Sequence, residues 1–243
     1  MSVGPEVFGE DYLYFYEPML TDELSDRQAE LVFGLLELEA GAEVLDLACG
    51  HGRIANRLAA RGARVKGLDA DPFFLARARE DAVARGVEVE YVEGDMRALP
   101  WGAASFDAVL LWFTAFGYFD DDGNRTVLGE MRRVLRPGGH ALLDLNHLPW
   151  VLGNFQRQSF TRRGADVSVD DFVWHPETSV MDTHRVVVRD GVVRELPYSI
   201  RMFMPAELRD LLRAAGFVHV DLLGPRGEPL TAEDRRLVVL ARA

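Results

Sequence analysis

Short apolar runs alternate with amphipathic stretches from Glu43 to Asn146, and this alternation predicts strands and helices taking turns around a parallel sheet. The strand candidates are residues 43–48, 64–69, 88–93, 106–112 and 140–146, most of them near-continuously apolar or rich in β-branched side chains. Such runs suit strands covered by helices on both faces. Between them, residues 53–60 and 71–85 place apolar side chains at helical spacing, Phe74, Leu75, Ala78 and Ala82 among them. Ahead of the first strand, Ser25-Asp26-Arg27-Gln28 has the form of a capping box, and Leu31, Val32, Leu35 and Leu36 continue a helix.

The pattern changes after Asn146. Residues 172–174, 183–188 and 192–200 read as antiparallel strands, with Arg189-Asp190-Gly191 as a hairpin turn. Pro205 opens a helix with Leu208, Leu211, Leu212 and Ala215 along one face and Gly216 at its end; residues 217–223 and 237–241 then complete the sheet. The expected fold is α/β: a doubly wound, seven-stranded, mostly parallel sheet in a single domain spanning 1–243. An antiparallel β cap over 149–203 is expected to be inserted after the fifth strand.

Composition narrows the partners. With 48% hydrophobic and 27% charged residues the chain has an ordinary globular make-up. A net charge of -12 repels phosphate backbones, and pairs such as Arg132-Arg133, Arg162-Arg163 and Arg235-Arg236 are too isolated to override it, so nucleic acid is not an expected partner. Cys49 is the sole cysteine, and residues 1–6 lack the basic and apolar regions of a secretion signal, which points to the cytoplasm. No stretch approaches the roughly 18–20 apolar residues of a membrane span.

The chemistry concentrates where Val44-Leu45-Asp46-Leu47 leads through Ala48-Cys49-Gly50-His51-Gly52-Arg53 into a helix. A glycine turn between strand and helix binds ligands, because glycine tolerates positive φ and lets a ligand approach the backbone. Gly50, Gly52 and Ala55 also satisfy the dinucleotide fingerprint, with Asp69 at a ribose-binding distance, so an NAD-dependent oxidoreductase is a rival reading. Asp46 favours a cationic ligand, since a carboxylate beside a pyrophosphate is repelled while one beside a sulfonium and an ammonium is attracted.

The run Val44 to Gly52 resembles the first motif of the class I S-adenosylmethionine-dependent methyltransferases, with Ala48 where the family usually has its first glycine. Gly67-Leu68-Asp69, followed by Ala70, is similar to the second motif, whose acid holds the ribose hydroxyls. Gly94-Asp95-Met96 is similar to the segment whose acid meets the adenine amino group and whose next side chain packs on the ring. Phe106-Asp107-Ala108-Val109 and Arg133-Val134-Leu135-Arg136-Pro137-Gly138-Gly139 resemble the fourth strand and the turn before the fifth. The resemblance implies a Rossmann-like fold, S-adenosylmethionine as cofactor, and methyl transfer to a nitrogen or oxygen nucleophile of a small molecule. A cofactor-binding module without methyl transfer is the remaining alternative.

Methyl transfer from a sulfonium needs mainly alignment and exclusion of water, which an aromatic pocket supplies. Trp112, Phe113, Phe116 and Tyr118 follow the fourth strand at the ligand-binding edge, with Trp112 and Phe113 expected on the cofactor and Tyr118 on the acceptor. Phe113 and Phe116 can equally be core, whereas Gly117 and Tyr118 are expected to be more exposed. His147, after the fifth strand, is the first candidate base, with a loop-anchoring role as the alternative and His175 and His184 as weaker candidates. Asp120-Asp121-Asp122 reads as a helix N-terminus, and Asp144 with Asn146 is a poor metal pair. Tyr12-Leu13-Tyr14-Phe15-Tyr16 resembles the family's aromatic lid, which implies that Tyr16 reaches the methionine end of the cofactor; a terminal strap packed on the core is the other reading.

Overall fold

The computed structural model describes residues 7–243, so the reading of residues 1–6 lies outside the described residues. In chain order the elements are α1 (Glu10–Tyr16), α2 (Asp22–Leu35), β1 (Glu43–Leu47), α3 (Ala55–Ala60), β2 (Arg64–Asp69), α4 (Pro72–Arg85) and β3 (Val89–Glu93). These are followed by β4 (Phe106–Leu111), α5 (Asp121–Val134), β5 (Leu135–Asn146), α6 (Leu148–Gly153), β6 (Gln158–Arg163) and β7 (Asp166–His175). The last are β8 (Val180–Arg189), β9 (Val192–Arg201), α7 (Pro205–Ala214), β10 (His219–Leu223) and β11 (Arg236–Arg242).

Seven strands form one sheet in the order β10-β11-β5-β4-β1-β2-β3, and β11 alone runs opposite to the other six. Strand periodicity sorts the core into two layers. Leu45, Leu47, Val109, Leu111 and Leu143 face a cluster with α5 and α7, whereas Val44, Ala108, Leu110 and Leu142 face one with α2, α3 and α4. This is the doubly wound arrangement expected from the sequence. Among the described residues no helix is long and apolar enough to cross a membrane.

A second, four-stranded antiparallel sheet, β6-β7-β8-β9, lies within the stretch read as a cap. Arg189 pairs with Val192 across the two-residue turn, where Asp190 (φ 53°) and Gly191 (φ 75°) are both left-handed, as a type I′ hairpin requires. Strand β6 and helix α6 were not expected. The first is an edge strand of mostly exposed, polar residues that carries little apolar alternation.

Two boundaries differ from the sequence reading. Helix α2 is capped by the Thr21 side chain, which accepts the Leu24 N–H, and Ser25 lies inside the first turns at 1% exposure. Asp22 and Glu23 suit the positive helix end better than a later start would allow. Strand β5 begins at Leu135, so Pro137-Gly138-Gly139 lies within it rather than ahead of it. A Cβ at Gly139 would stand 2.7 Å from the Asp107 carbonyl oxygen, where the β4–β5 register shifts, so glycine here serves a close strand approach.

Candidate active site

The β1–α3 turn stands at the C-terminal edge of the sheet, and Ala48 (φ 51°), Gly50 (φ 53°) and Gly52 (φ 74°) are all left-handed. Ala48 holds a conformation that glycine adopts without strain, at a cost of order ~1 kcal/mol. Only Gly50 is open to a ligand: nothing stands within 4 Å of where its Cβ would be. The expected reason for Gly52 is corrected, since a Cβ there would meet the Tyr91 hydroxyl at 2.2 Å, which itself donates to Asn56 Oδ1. The Cys49 side chain is likewise turned inward. Its sulfur would lie 2.8 Å from a Cβ on Gly67, and burial beside Asp46 and Asp69 pushes the thiol up, so only the Cys49 backbone faces the turn.

Three carboxylates stand at the C-terminal ends of β1, β2 and β3. Asp46 is 2% exposed, and burial, with Asp69 adding to it, pushes its carboxyl up to about 8 against the opposing Arg53 and Ala55 N–H. Asp69 accepts the Gly50 N–H at 2.8 Å on one oxygen and the Asp71 N–H at 2.9 Å on the other, which leaves each oxygen a lone pair. Burial raises its pKa, and those N–H donors oppose the rise. Asp95 is exposed and forms a two-pronged ion pair with Arg97, whose hydrogen bonds hold its pKa low; Met96 packs against the core beside it. Ala70 is exposed at the end of β2. Carboxylates around an open glycine accept hydroxyls and an ammonium and repel pyrophosphate, so the residues fit S-adenosylmethionine.

Beyond β4 the backbone is strained at Phe113 (φ 65°) and Thr114 (φ 62°), two successive left-handed non-glycine residues. Buried Asp144 pins them, its carboxylate accepting the Phe113 N–H and its carbonyl the Thr114 N–H. Arg236 clamps the same carboxylate through Nε and Nη2, and its Nη1 donates to Asn146, so a guanidinium joins the two residues weighed as metal ligands. Phe113 lies beneath both Arg53 and Arg236 (5.1 and 5.6 Å), while Trp112 is buried in the core with Nε1 unpartnered. His147 is 2% exposed, and its Nδ1 lies 2.8 Å from the Asp234 carbonyl; because a carbonyl only accepts, Nδ1 carries the proton.

Gly117 is buried, contrary to the exposed loop expected. A Cβ on it would lie 2.2 Å from the Arg201 carbonyl, and the Arg201 N–H donates to its oxygen, which ties the post-β4 loop to β9. Tyr118, half-buried, is thereby brought against Phe8 and next to the aromatic face of α1, where Tyr12 and Tyr16 stack at 4.3 Å. Phe116 is core, packed on Phe203. The four-stranded sheet contributes Tyr198 and a buried ion pair, Asp170–Arg185, whose guanidinium lies over the Tyr16 and Tyr198 rings. Sequence reasoning missed Arg53, Asp170, Arg185 and Tyr198. The available signal was a charge at alternate, inward positions of the β7 and β8 segments.

Residues 44–139 match the methyltransferase domain family. The demethylmenaquinone methyltransferase of Thermus thermophilus is 38% identical over 192 residues, 76% of this chain and 79% of that one. The 2-phytyl-1,4-naphtoquinone methyltransferase of Thermosynechococcus vestitus is 33% identical over 230 residues, 84% of this chain and 90% of that one. Among solved structures, the CcbJ methyltransferase of Streptomyces caelestis superposes with a TM-score of 0.76 at 25% identity over 90% of this chain and 89% of that one. With the glycine turn, the acidic strand ends and the sheet order, these likenesses set the NAD reading aside: the chain belongs to the class I S-adenosylmethionine-dependent methyltransferases that act on small molecules.

Proposed function

We propose that this enzyme methylates an amine nitrogen of a small molecule, in a chamber between α1, the loop after β4 and the inner face of the four-stranded sheet, with residues 149–203 as the substrate cap. The observation that carries this reading is the character of the ionisable groups lining the chamber. Burial raises Tyr12, Tyr118 and Tyr198, and the Asp170 partner raises Arg185 against its own burial, so none of these accepts a proton near neutral pH. A hydroxyl acceptor requires a base during attack, whereas the neutral fraction of an amine, set by its own titration in solvent, attacks without one. Tyr118 on this reading is a chamber wall that orients the acceptor, and His147 anchors the β5–α6 turn to the Asp234 segment.

The cofactor contacts belong to the same proposal. Asp69 takes the ribose hydroxyls, Asp95 and Met96 the adenine, Asp46 the ammonium and sulfonium, and Tyr16 and Phe113 the methionine end; the backbone of Ala48, Cys49 and Gly50 lines the approach, with Gly52 packed behind it on Tyr91. Ala70 and Trp112 stand at its margins. The cofactor supplies a methyl group activated by the sulfonium. Transfer to the acceptor nitrogen would form the N–C bond as the C–S bond breaks and would leave a neutral thioether, and the excess proton on nitrogen would pass to solvent.

Rates of S-adenosylhomocysteine formation test the acceptor. Amino-bearing small molecules are expected to turn over, with kcat/KM rising with pH along the titration of the acceptor amine; equal turnover of their hydroxyl counterparts would overturn the reading. A second reading, methylation of a quinone ring, is favoured by the names of the two quinone-methyltransferase relatives and by the aromatic chamber lining. A demethylated naphthoquinol in the same assay separates the two.

Cofactor affinity is expected to depend on pH through Asp46. In the ligand-free protein this carboxyl, near 8, keeps its proton at neutral pH, whereas the unfolded chain loses it above 3.8. Stability without ligand therefore falls as pH rises from about 4 to 8. A cationic ligand favours the ionised form, so binding below pH 8 releases a proton and tightens by up to ~10-fold per pH unit before levelling. Calorimetry in buffers of different ionisation enthalpy measures the released proton, and Asp46→Asn is expected to abolish it.

A further inference from the structure

Arg53 follows Gly52 and is 8% exposed, yet its guanidinium is only half satisfied. Nη1 donates to Gln28 Oε1 at 2.6 Å and stands 3.5 Å from Ser25 Oγ, while Nη2 is buried with no partner among the described residues. A charged donor sealed from water without an acceptor is costly, and buried charges are normally paired. The acids acting on it are Asp144 and Asp46. Asp144 is already clamped by Arg236 on both oxygens, and Asp46 is a neutral acid at pH 7 when the site holds no cation. Among the described residues no carboxylate forms an ion pair with Arg53; Asp144 acts on it only through space.

The place of this cation is informative. It lies over the Phe113 ring, among the C-terminal edges of β1 and β4, and close enough to Tyr12 of α1 to be coupled to it electrostatically. It therefore borders the glycine turn on the side away from Asp69, where the amino-acid end of a ligand whose ribose meets Asp69 would extend. S-adenosylmethionine carries a single anionic group, its α-carboxylate. We infer that Arg53 Nη2 binds this carboxylate, with Gln28 acting as the positioning residue that fixes the guanidinium. The inference rests on the cofactor and not on the nature of the acceptor, so it stands whether an amine or a quinone ring is methylated.

The test compares two ligands by calorimetric titration of the full chain: S-adenosylhomocysteine, and its decarboxylated analogue, which keeps the adenosine, thioether and ammonium. The wild-type protein is expected to bind the first about 10- to 100-fold more tightly, as a charge-assisted hydrogen bond provides. Arg53→Met, close in volume, should remove that preference without weakening the binding of the analogue. Gln28→Leu should cause a smaller loss confined to S-adenosylhomocysteine. Equal weakening toward both ligands in Arg53→Met would mean a structural role and overturn the inference. So would equal wild-type affinity for the two ligands, a measurement that needs no variant to fold.

Discussion

Arg185→Met is expected to lower the thermal unfolding midpoint by about 10 °C, the largest stability loss anticipated for a single substitution outside the apolar core. Asp170 and Arg185 stand directly opposite each other on β7 and β8, with side chains 12% and 5% exposed. Two hydrogen bonds, Nε to one carboxylate oxygen at 2.7 Å and Nη2 to the other at 3.1 Å, join them. Removing one partner leaves a buried carboxylate uncompensated, a change that costs about 3–5 kcal/mol, and in a chain of this length each kcal/mol shifts the midpoint by about 2–4 °C. The combined Asp170→Leu, Arg185→Met variant is expected to recover most of the loss, because an apolar pair of similar volume carries no desolvation penalty. Differential scanning calorimetry of the three variants decides it. A midpoint for Arg185→Met within 2 °C of wild type would show that water reaches the pair.

The second large effect is on binding. Asp69→Ala is expected to weaken S-adenosylhomocysteine at least ~100-fold, since two charge-assisted hydrogen bonds to the ribose are lost together. The same carboxylate also accepts the Gly50 and Asp71 N–H groups, so its removal loosens the turn against β2. Asp69→Asn separates these contributions. An amide has one acceptor oxygen for two backbone donors, and its NH2 must face one of them, so the asparagine variant should also bind poorly and should unfold between the alanine variant and the wild type, one of the two turn hydrogen bonds being kept. Affinity within threefold of wild type for both variants would remove Asp69 from the site.

The seven-stranded sheet was legible because burial on both faces imposes a local rule. Strands such as Val44 to Leu47 and Ala108 to Leu111 must be almost continuously apolar, and turn residues must interrupt them. The hairpin at Asp190-Gly191 was equally local, since two left-handed residues in sequence favour those side chains. Strand β6 was not, because an exposed edge needs no such pattern.

The sequence by itself determined where most of the main sheet's strands lie along the chain, the glycine turn after β1 and the acids at the ends of β1, β2 and β3, because each follows from neighbouring residues and their backbone geometry. Only the tertiary structure decided what surrounds that turn. Tyr12, Arg53, Tyr118, Arg185 and Tyr198 lie as much as 186 positions apart and meet only where α1 and the four-stranded sheet close over the strand ends. Their shared burial, which sets their charge states and leaves Arg53 without an ion pair among the described residues, arises from packing across that separation, and no spacing in the chain encodes it.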